Sequence, residues 1–346
     1  MKKQFWTQIL FVCIRVYSCF GQNSLEYYSK INEAELAILD SNYSKSCSYY
    51  RDAFKINNSS FAKDYYNAAI VAAYVKDTNL IIHCFSQLAR KGVCLSYLKK
   101  QHSWSLFKEN YDLSYFEKIQ FQKFREDYLK STNFYLKRKL DNIYETNQDI
   151  LLKNYPDSHQ RHINNINELD SLIRVFGFPS EELIGVGDSL EVSPMYLYSI
   201  YNLDTQGYKN NIFFDLLKKA TIHGKIHPGV SSFYLSLLNP LFELEKTAVY
   251  KIVTSDTLIM SQDDYKSKIN KWVYPIYPEN YLQKINKNRQ EIGWEDFLTY
   301  QRKVIYNLKN NNFIFSLNGG LSTYQCDTEY VAQKYLNNVQ IIENTK

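Results

Sequence analysis

Apolar residues in the first hundred positions recur at the spacing of a helix face. Leu25, Tyr28, Ile31, Leu36 and Leu39 share one face over Ser24–Leu39, and Tyr50, Ala53 and Phe54 continue the pattern over Tyr43–Phe54. Asp40-Ser41-Asn42 separates the two with turn and capping residues. Asn57 to Ser60 breaks the chain again before an alanine-rich helix, Phe61–Val75. Asp77 caps the next helix, Leu80–Arg90, which Gly92 ends. Helical spacing then continues through Leu95–Lys130, Phe134–Tyr155 up to Pro156, and His159–Phe176 up to Gly177. Further helices are expected at Pro194–Leu203, Asn211–Ile222 and Gly229–Leu244, a longer one at Tyr281–Asn307, and a short one in the tail at Glu329–Asn338.

Two segments break this rhythm. Val249–Met260 is rich in β-branched residues, with Thr254-Ser255-Asp256 as a turn, and predicts a small hairpin. Phe313–Leu317, Asn318-Gly319-Gly320 and Leu321–Tyr324 predict a second hairpin. Trp272–Pro278, punctuated by prolines, reads as loop. The expected fold class is therefore all-α: helical hairpins, then a helical domain with one or two small β-hairpins.

The first four helices repeat. An offset of 34 carries Ala34 to Ala68, Leu36 to Ile70, Ala37 to Val71, Tyr50 to Cys84 and Phe54 to Leu88. Thirty-four residues of helix–turn–helix is the tetratricopeptide period, so residues 25–92 resemble two tetratricopeptide-like units. The resemblance implies stacked helical hairpins with a concave groove for another protein or peptide, where Tyr43, Tyr49, Tyr50, Tyr65 and Tyr66 are candidates for the lining.

Composition agrees with a helical chain. At 346 residues it exceeds one ordinary core, and 45% hydrophobic with 22% charged residues suits packed domains. Only 11 glycines and 7 prolines are present, too few for a turn-dense β fold. The 31 tyrosines reflect either nucleotide bias or recognition surfaces.

Residues 1–21 read as a signal peptide. Met1-Lys2-Lys3 is a basic start, Ile9–Phe20 is apolar apart from Arg15, and the small residues Ser18 and Gly21 follow. Two cleavage points remain open: after Gly21, or before Cys19, which would leave a lipid anchor on that cysteine. The apolar part is too short for a transmembrane span, and no other segment reaches that length. An exported protein, periplasmic, surface-bound or secreted, is expected. The net charge of +5 falls by three, to +2, once Lys2, Lys3 and Arg15 leave, and no basic stripe for nucleic acid remains. Cys47, Cys84, Cys94 and Cys326 would stay in the mature chain as buried small hydrophobes, with a Cys47–Cys84 bridge conceivable.

Residues 140–255 resemble an uncharacterised bacterial domain family. Its members carry an Asp-Gln pair, a helix ending in Gly-x-Pro, a Val-Gly, then Gln-His, Asp-Arg and Gln-x-Tyr-Gly-Thr. Here Gly177-Phe178-Pro179, Gly185-Val186-Gly187 and Leu216–Gly224 keep the frame. The polar positions become Asn147-Gln148, Tyr201-Asn202, Asn239-Pro240 and Thr247-Ala248-Val249-Tyr250. The resemblance implies no known activity, and the loss of titratable groups argues against catalysis.

Other chemistry is weak. His159/His162 and His223/His227 have ligand-like spacing but lack the glutamate of a zinc-protease motif. No Cys-x-x-Cys, nucleophile elbow or dinucleotide fingerprint occurs, so neither metal nor cofactor is expected. The organisation expected is a signal peptide (1–21), a helical array (22–131), a helical domain (132–260) and a helical extension with a small hairpin (261–346). The function expected is a non-catalytic protein-interaction module. One alternative is a hydrolase with a polar site at Gln148, His162, Asn202, Asn239 and Tyr250; another is a purely architectural envelope protein.

Overall fold

A computed structural model describes residues 23–57, 60–111, 114, 120–153, 155–187, 189–192, 195–197, 211–245, 247–254, 269–315, 320–337 and 339–342. The leader, Cys19 and Asn202 lie outside them.

The chain is mostly helical, as its periodicity predicts. Helix α1 (residues 23–39) is followed by α2 (Tyr43–Ile56), α3 (Ala62–Tyr74) and α4 (Thr78–Arg90). The α1–α2 and α3–α4 turns are copies of one another. Ser41 and Lys76 both adopt positive φ, at 57° and 61°. Asn42 N–H bonds to Ala37 O and Asp77 N–H to Ala72 O, each at 2.8 Å. The Asn42 and Asp77 side chains then cap the next helix, accepting from Lys45 N–H and Leu80 N–H. By this geometry the structural offset is 35 residues, one more than the apolar pattern suggests.

The stretch expected as one helical region over 95–130 contains α5 (Leu95–Lys100), α6 (Trp104–Asn110) and α7 (Phe121–Ser131). An antiparallel pair follows, α8 (Phe134–Lys153) and α9 (Ser158–Phe176), then the single turn α10 (Glu181–Ile184). Next come α11 (Asn211–Ile222) and α12 (Pro228–Leu238). The helix expected over 281–307 is broken into α13 (Glu279–Glu291) and α14 (Phe297–Lys309). The break lies at Gly293, φ +73°, where any Cβ would fall 2.4 Å from the Tyr28 ring.

The strands differ most from expectation. They form one four-stranded mixed sheet in the order β3-β1-β2-β4, not two hairpins. β1 (Val249–Thr254) runs antiparallel to β2 (Asn270–Pro275), whose second half, from Trp272, falls in the stretch read as loop. β3 (Leu321–Cys326) pairs in parallel with β1, Ile252 opposite Tyr324. After α15 (Glu329–Leu336), β4 (Val339–Ile341) closes the other edge. Pro275 is tolerated because it ends β2 beside the edge strand β4.

The first half and the end of the chain share a core. α3 is buried along nearly its whole length, and Phe313 and Phe315 pack into the cluster built by α1–α4. Asn67 fixes that segment by its backbone: its amide donates to Ile314 O at 2.7 Å and accepts from Ile314 N–H at 2.9 Å. Phe313 stacks beside Tyr43 and Tyr74. A second core joins α8, α9, α11, α12, α13, α14 and the start of β1.

Four charged side chains are buried where α1, α3 and α14 meet. Glu35 accepts from Lys63 and from Lys303, one oxygen each, at 2.6 Å. Lys63 also reaches Asp64 at 3.0 Å, whose other oxygen accepts from the Tyr27 hydroxyl. Lys303 further meets Asn32 at 2.8 Å and Glu295 at 3.3 Å. Burial pushes the Glu35 carboxyl up, but Lys303 and Lys63 outweigh it and hold it down at about 2. This is a lock between distant parts of the chain, because removing either lysine leaves the two buried carboxylates, Glu35 and Asp64, with a single cation between them.

Candidate functional site

Of the five residues singled out by sequence, four are described, and no hydrogen bond, ion pair or ring contact among the described residues joins any two of them. Gln148 is half-buried on α8, while its neighbour Asn147 is fully buried. His162 is buried on α9 with no hydrogen-bond partner for Nδ1, and burial followed by the charge of His159 lowers its pKa. Asn239 ends α12 and uses Oδ1 to accept from Leu241 N–H. Tyr250 alone enters a constellation of exposed chemistry.

That constellation begins with a strained turn. Glu245 adopts φ +35°, a region that disfavours a side chain. The loop before it is tied to α13 by three residues of one helical stretch. Lys284 pairs with the Glu243 carboxylate at 2.8 Å, Asn288 donates to Glu243 O at 2.9 Å, and Arg289 donates to Leu244 O and Glu245 O at 2.8 and 2.9 Å. Arg289 is itself fully buried. Its Nε donates to Glu295 O at 2.7 Å, and its guanidinium lies 3.4 Å from the Trp294 ring centre. Burial lowers its pKa to about 10, still well above neutrality. Carbonyl dipoles and an aromatic face therefore hold a cation that has no carboxylate within ion-pair reach among the described residues.

The Glu245 carboxylate is aimed by this frame. One oxygen accepts from Thr247 N–H at 3.0 Å, the other from the Tyr281 hydroxyl at 3.2 Å. Tyr277 follows β2, and Tyr281 sits one helical turn later, so their rings meet with centres 5.0 Å apart. Tyr250, on β1, lies near enough to feel the Glu245 charge, and burial together with that charge raises its phenol. Burial, then the nearby Glu245 charge, pushes the Tyr281 phenol up to about 12 and the Tyr277 phenol further. All three hydroxyls stay protonated at neutral pH.

The aromatic surface continues. The Tyr250 ring lies 5.0 Å from Tyr324 on β3, which stacks on Tyr335 of α15 at 5.7 Å. Tyr324 and Tyr335 are 44% and 49% exposed, so this strip faces solvent. The tyrosines expected to line a groove on the first helices behave otherwise. Tyr50, Tyr65 and Tyr66 are core, and Tyr43 is half-buried against Tyr74 with ring centres 4.1 Å apart. Tyr49 is half-buried beside Lys30 and Lys45.

A second group of polar residues lines a small pocket beside the ionic lock: Asn32, Glu35, Lys63, His227, Glu295 and Lys303. The space suits a water and little more. His227 accepts from Gly229 N–H at the start of α12 instead of sharing a helix face with His223, because the chain turns at Gly224. Cys47, Cys84 and Cys326 are buried thiols and Cys94 is half-buried; none is bridged. Among the described residues no three His, Cys, Asp or Glu gather as metal ligands, and no helix is long and apolar enough to cross a membrane. Comparison with protein-family models, curated proteins and solved structures finds no match for this chain.

Proposed function

We propose that this chain is a non-catalytic interaction module of an exported protein, and that it binds another protein through the tyrosine strip of its C-terminal sheet. The observation that carries this reading is the row of rings Tyr250, Tyr324 and Tyr335, packed one on the next, with the Tyr277–Tyr281 pair following β2. Tyrosine offers a large contact area for little conformational entropy, together with a hydroxyl that tolerates water. The basic, apolar leader supports export, and the tetratricopeptide-like pattern supports the same functional class. The hydrolase alternative draws on His162, whose imidazole lies near-buried beside a helix carrying the buried Asn147. At 3% exposure that ring is out of a substrate's reach, which favours the first reading.

A photo-crosslinking residue placed at Tyr324 in the producing cells tests the proposal, with Leu152 on α8 as an exposed control. One discrete adduct from position 324 and none from 152 is expected. No adduct, or the same adducts from both positions, would overturn it.

A further inference from the structure

We propose that Glu245, hydrogen-bonded by Tyr281 with Tyr277 packed on that ring, is a seat for a primary ammonium group, the lysine side chain of the partner protein. The inference rests on the interaction reading above and adds the chemical group that is recognised.

Three features carry it. First, the carboxylate has no lysine or arginine within 4.0 Å among the described residues, although Glu243, two positions earlier, is paired with Lys284. Each Glu245 oxygen accepts one hydrogen bond from the protein, leaving lone pairs for an incoming donor. Second, the surroundings suit a cation. The Tyr281 phenol lies against the carboxylate and the Tyr277 ring packs on Tyr281, bringing aromatic π density beside it, and Glu243, two positions earlier, already has its own lysine. Third, the seat is built before any ligand arrives. The strained φ of Glu245 is held by the Asn288 and Arg289 contacts to the backbone of residues 243–245, so little ordering remains to oppose binding. Glu245, Tyr277 and Tyr281 are all half-buried, open enough for a side chain to enter. A compact ammonium with three donors fits a carboxylate whose oxygens already accept from Thr247 and Tyr281 better than a planar guanidinium, which needs two parallel acceptors.

The test is an NMR titration of the full chain, carrying labelled tyrosine, with N-acetyl-lysine methylamide. The same compound acetylated on its side-chain nitrogen and the arginine analogue serve as comparators. A single contact of this kind should saturate on the order of millimolar. The expected result is a saturable shift of the Tyr277 and Tyr281 ring signals by the lysine probe, with at least tenfold weaker effects from the neutral probe. Glu245→Gln should weaken the lysine probe at least tenfold. Tyr281→Phe, which leaves the carboxylate and the loop clamps in place, should weaken it severalfold with an unchanged melting temperature. No saturable shift in the folded wild-type chain, or equal binding of the neutral or arginine probe, would overturn the proposal. If the position-324 crosslink persists while the lysine probe fails, the seat falls and the interaction reading stands. If the probe binds but the crosslink is absent, the site is an amine pocket and the interaction reading falls.

Discussion

Several residues here contradict the habit of their side chains. Lys63 and Lys303 look like surface charges in the sequence, yet each is 1% exposed. Lys303→Met would leave Glu35 with one cation and Glu295 with none. It should cost about 3–5 kcal/mol in urea unfolding. Replacing Glu35, Lys63 and Lys303 together by apolar residues of similar volume should recover much of that loss. Arg289→Met would strip three carbonyls, those of Leu244, Glu245 and Glu295, of their donor. At about 1–3 kcal/mol for each unsatisfied group that re-forms no bond to water, the loss should exceed 2 kcal/mol by the same measurement. Little of the candidate site could be read from the sequence. Tyr250 stood out through a family resemblance, but Glu245, Tyr277 and Tyr281 come from separate segments with no shared motif. The spacing of Tyr277 and Tyr281 by four residues was the one visible hint, and a proline between them masks it as loop.

Elements were more legible than sites. Helices α1–α4, α8, α9 and α11 follow apolar spacing and capping residues, because those signals are local. The sheet was misread because pairing is not local. β1 meets β2 across residues 255–268, and its other partner, β3, lies some seventy positions onward and runs parallel, which no turn signal can announce. One contact between elements is especially exacting. Gly185, φ +65°, seats the end of α10 against the turn after α4, where Val186 N–H bonds to Lys91 O at 2.9 Å. A Cβ at 185 would fall 2.4 Å from the Tyr128 ring and 2.9 Å from Lys91 O. Gly185→Ala should therefore destabilise the chain by about 2 kcal/mol or more, read as a fall in melting temperature.

At the scale of the molecule, two buried carboxyls give the chain opposing responses to acid. Glu35 is held down at about 2, below its ordinary value, by Lys303 and Lys63 against the opposing effect of burial. Its contribution is present above pH 4.5 and is lost as pH falls toward 2. Glu181, paired with Lys91 at 3.2 Å and accepting from Ala62 N–H, is pushed up to about 7 by burial despite the lysine. The folded chain holds that proton more tightly than the unfolded one, so this group's contribution falls as pH rises from about 4.5 to 7. Glu181→Gln should flatten the melting temperature across pH 5–7, and Glu35→Gln should remove the steep loss below pH 4. A scan of melting temperature against pH checks both. A fragment of residues 23–131 lacks Lys303, Phe313 and Phe315, and should show helical far-ultraviolet but collapsed near-ultraviolet dichroism.

The lock between Glu35 and Lys303 spans 268 residues. During synthesis the amino-terminal helices, with two buried acids and only Lys63 between them, emerge long before Lys303, and before the aromatic pair that Asn67 positions. Early closure would strand a carboxylate in a dry interior. The opening third of the polypeptide is thus kept from maturing ahead of the rest, and the final compaction waits for almost the whole message to be read.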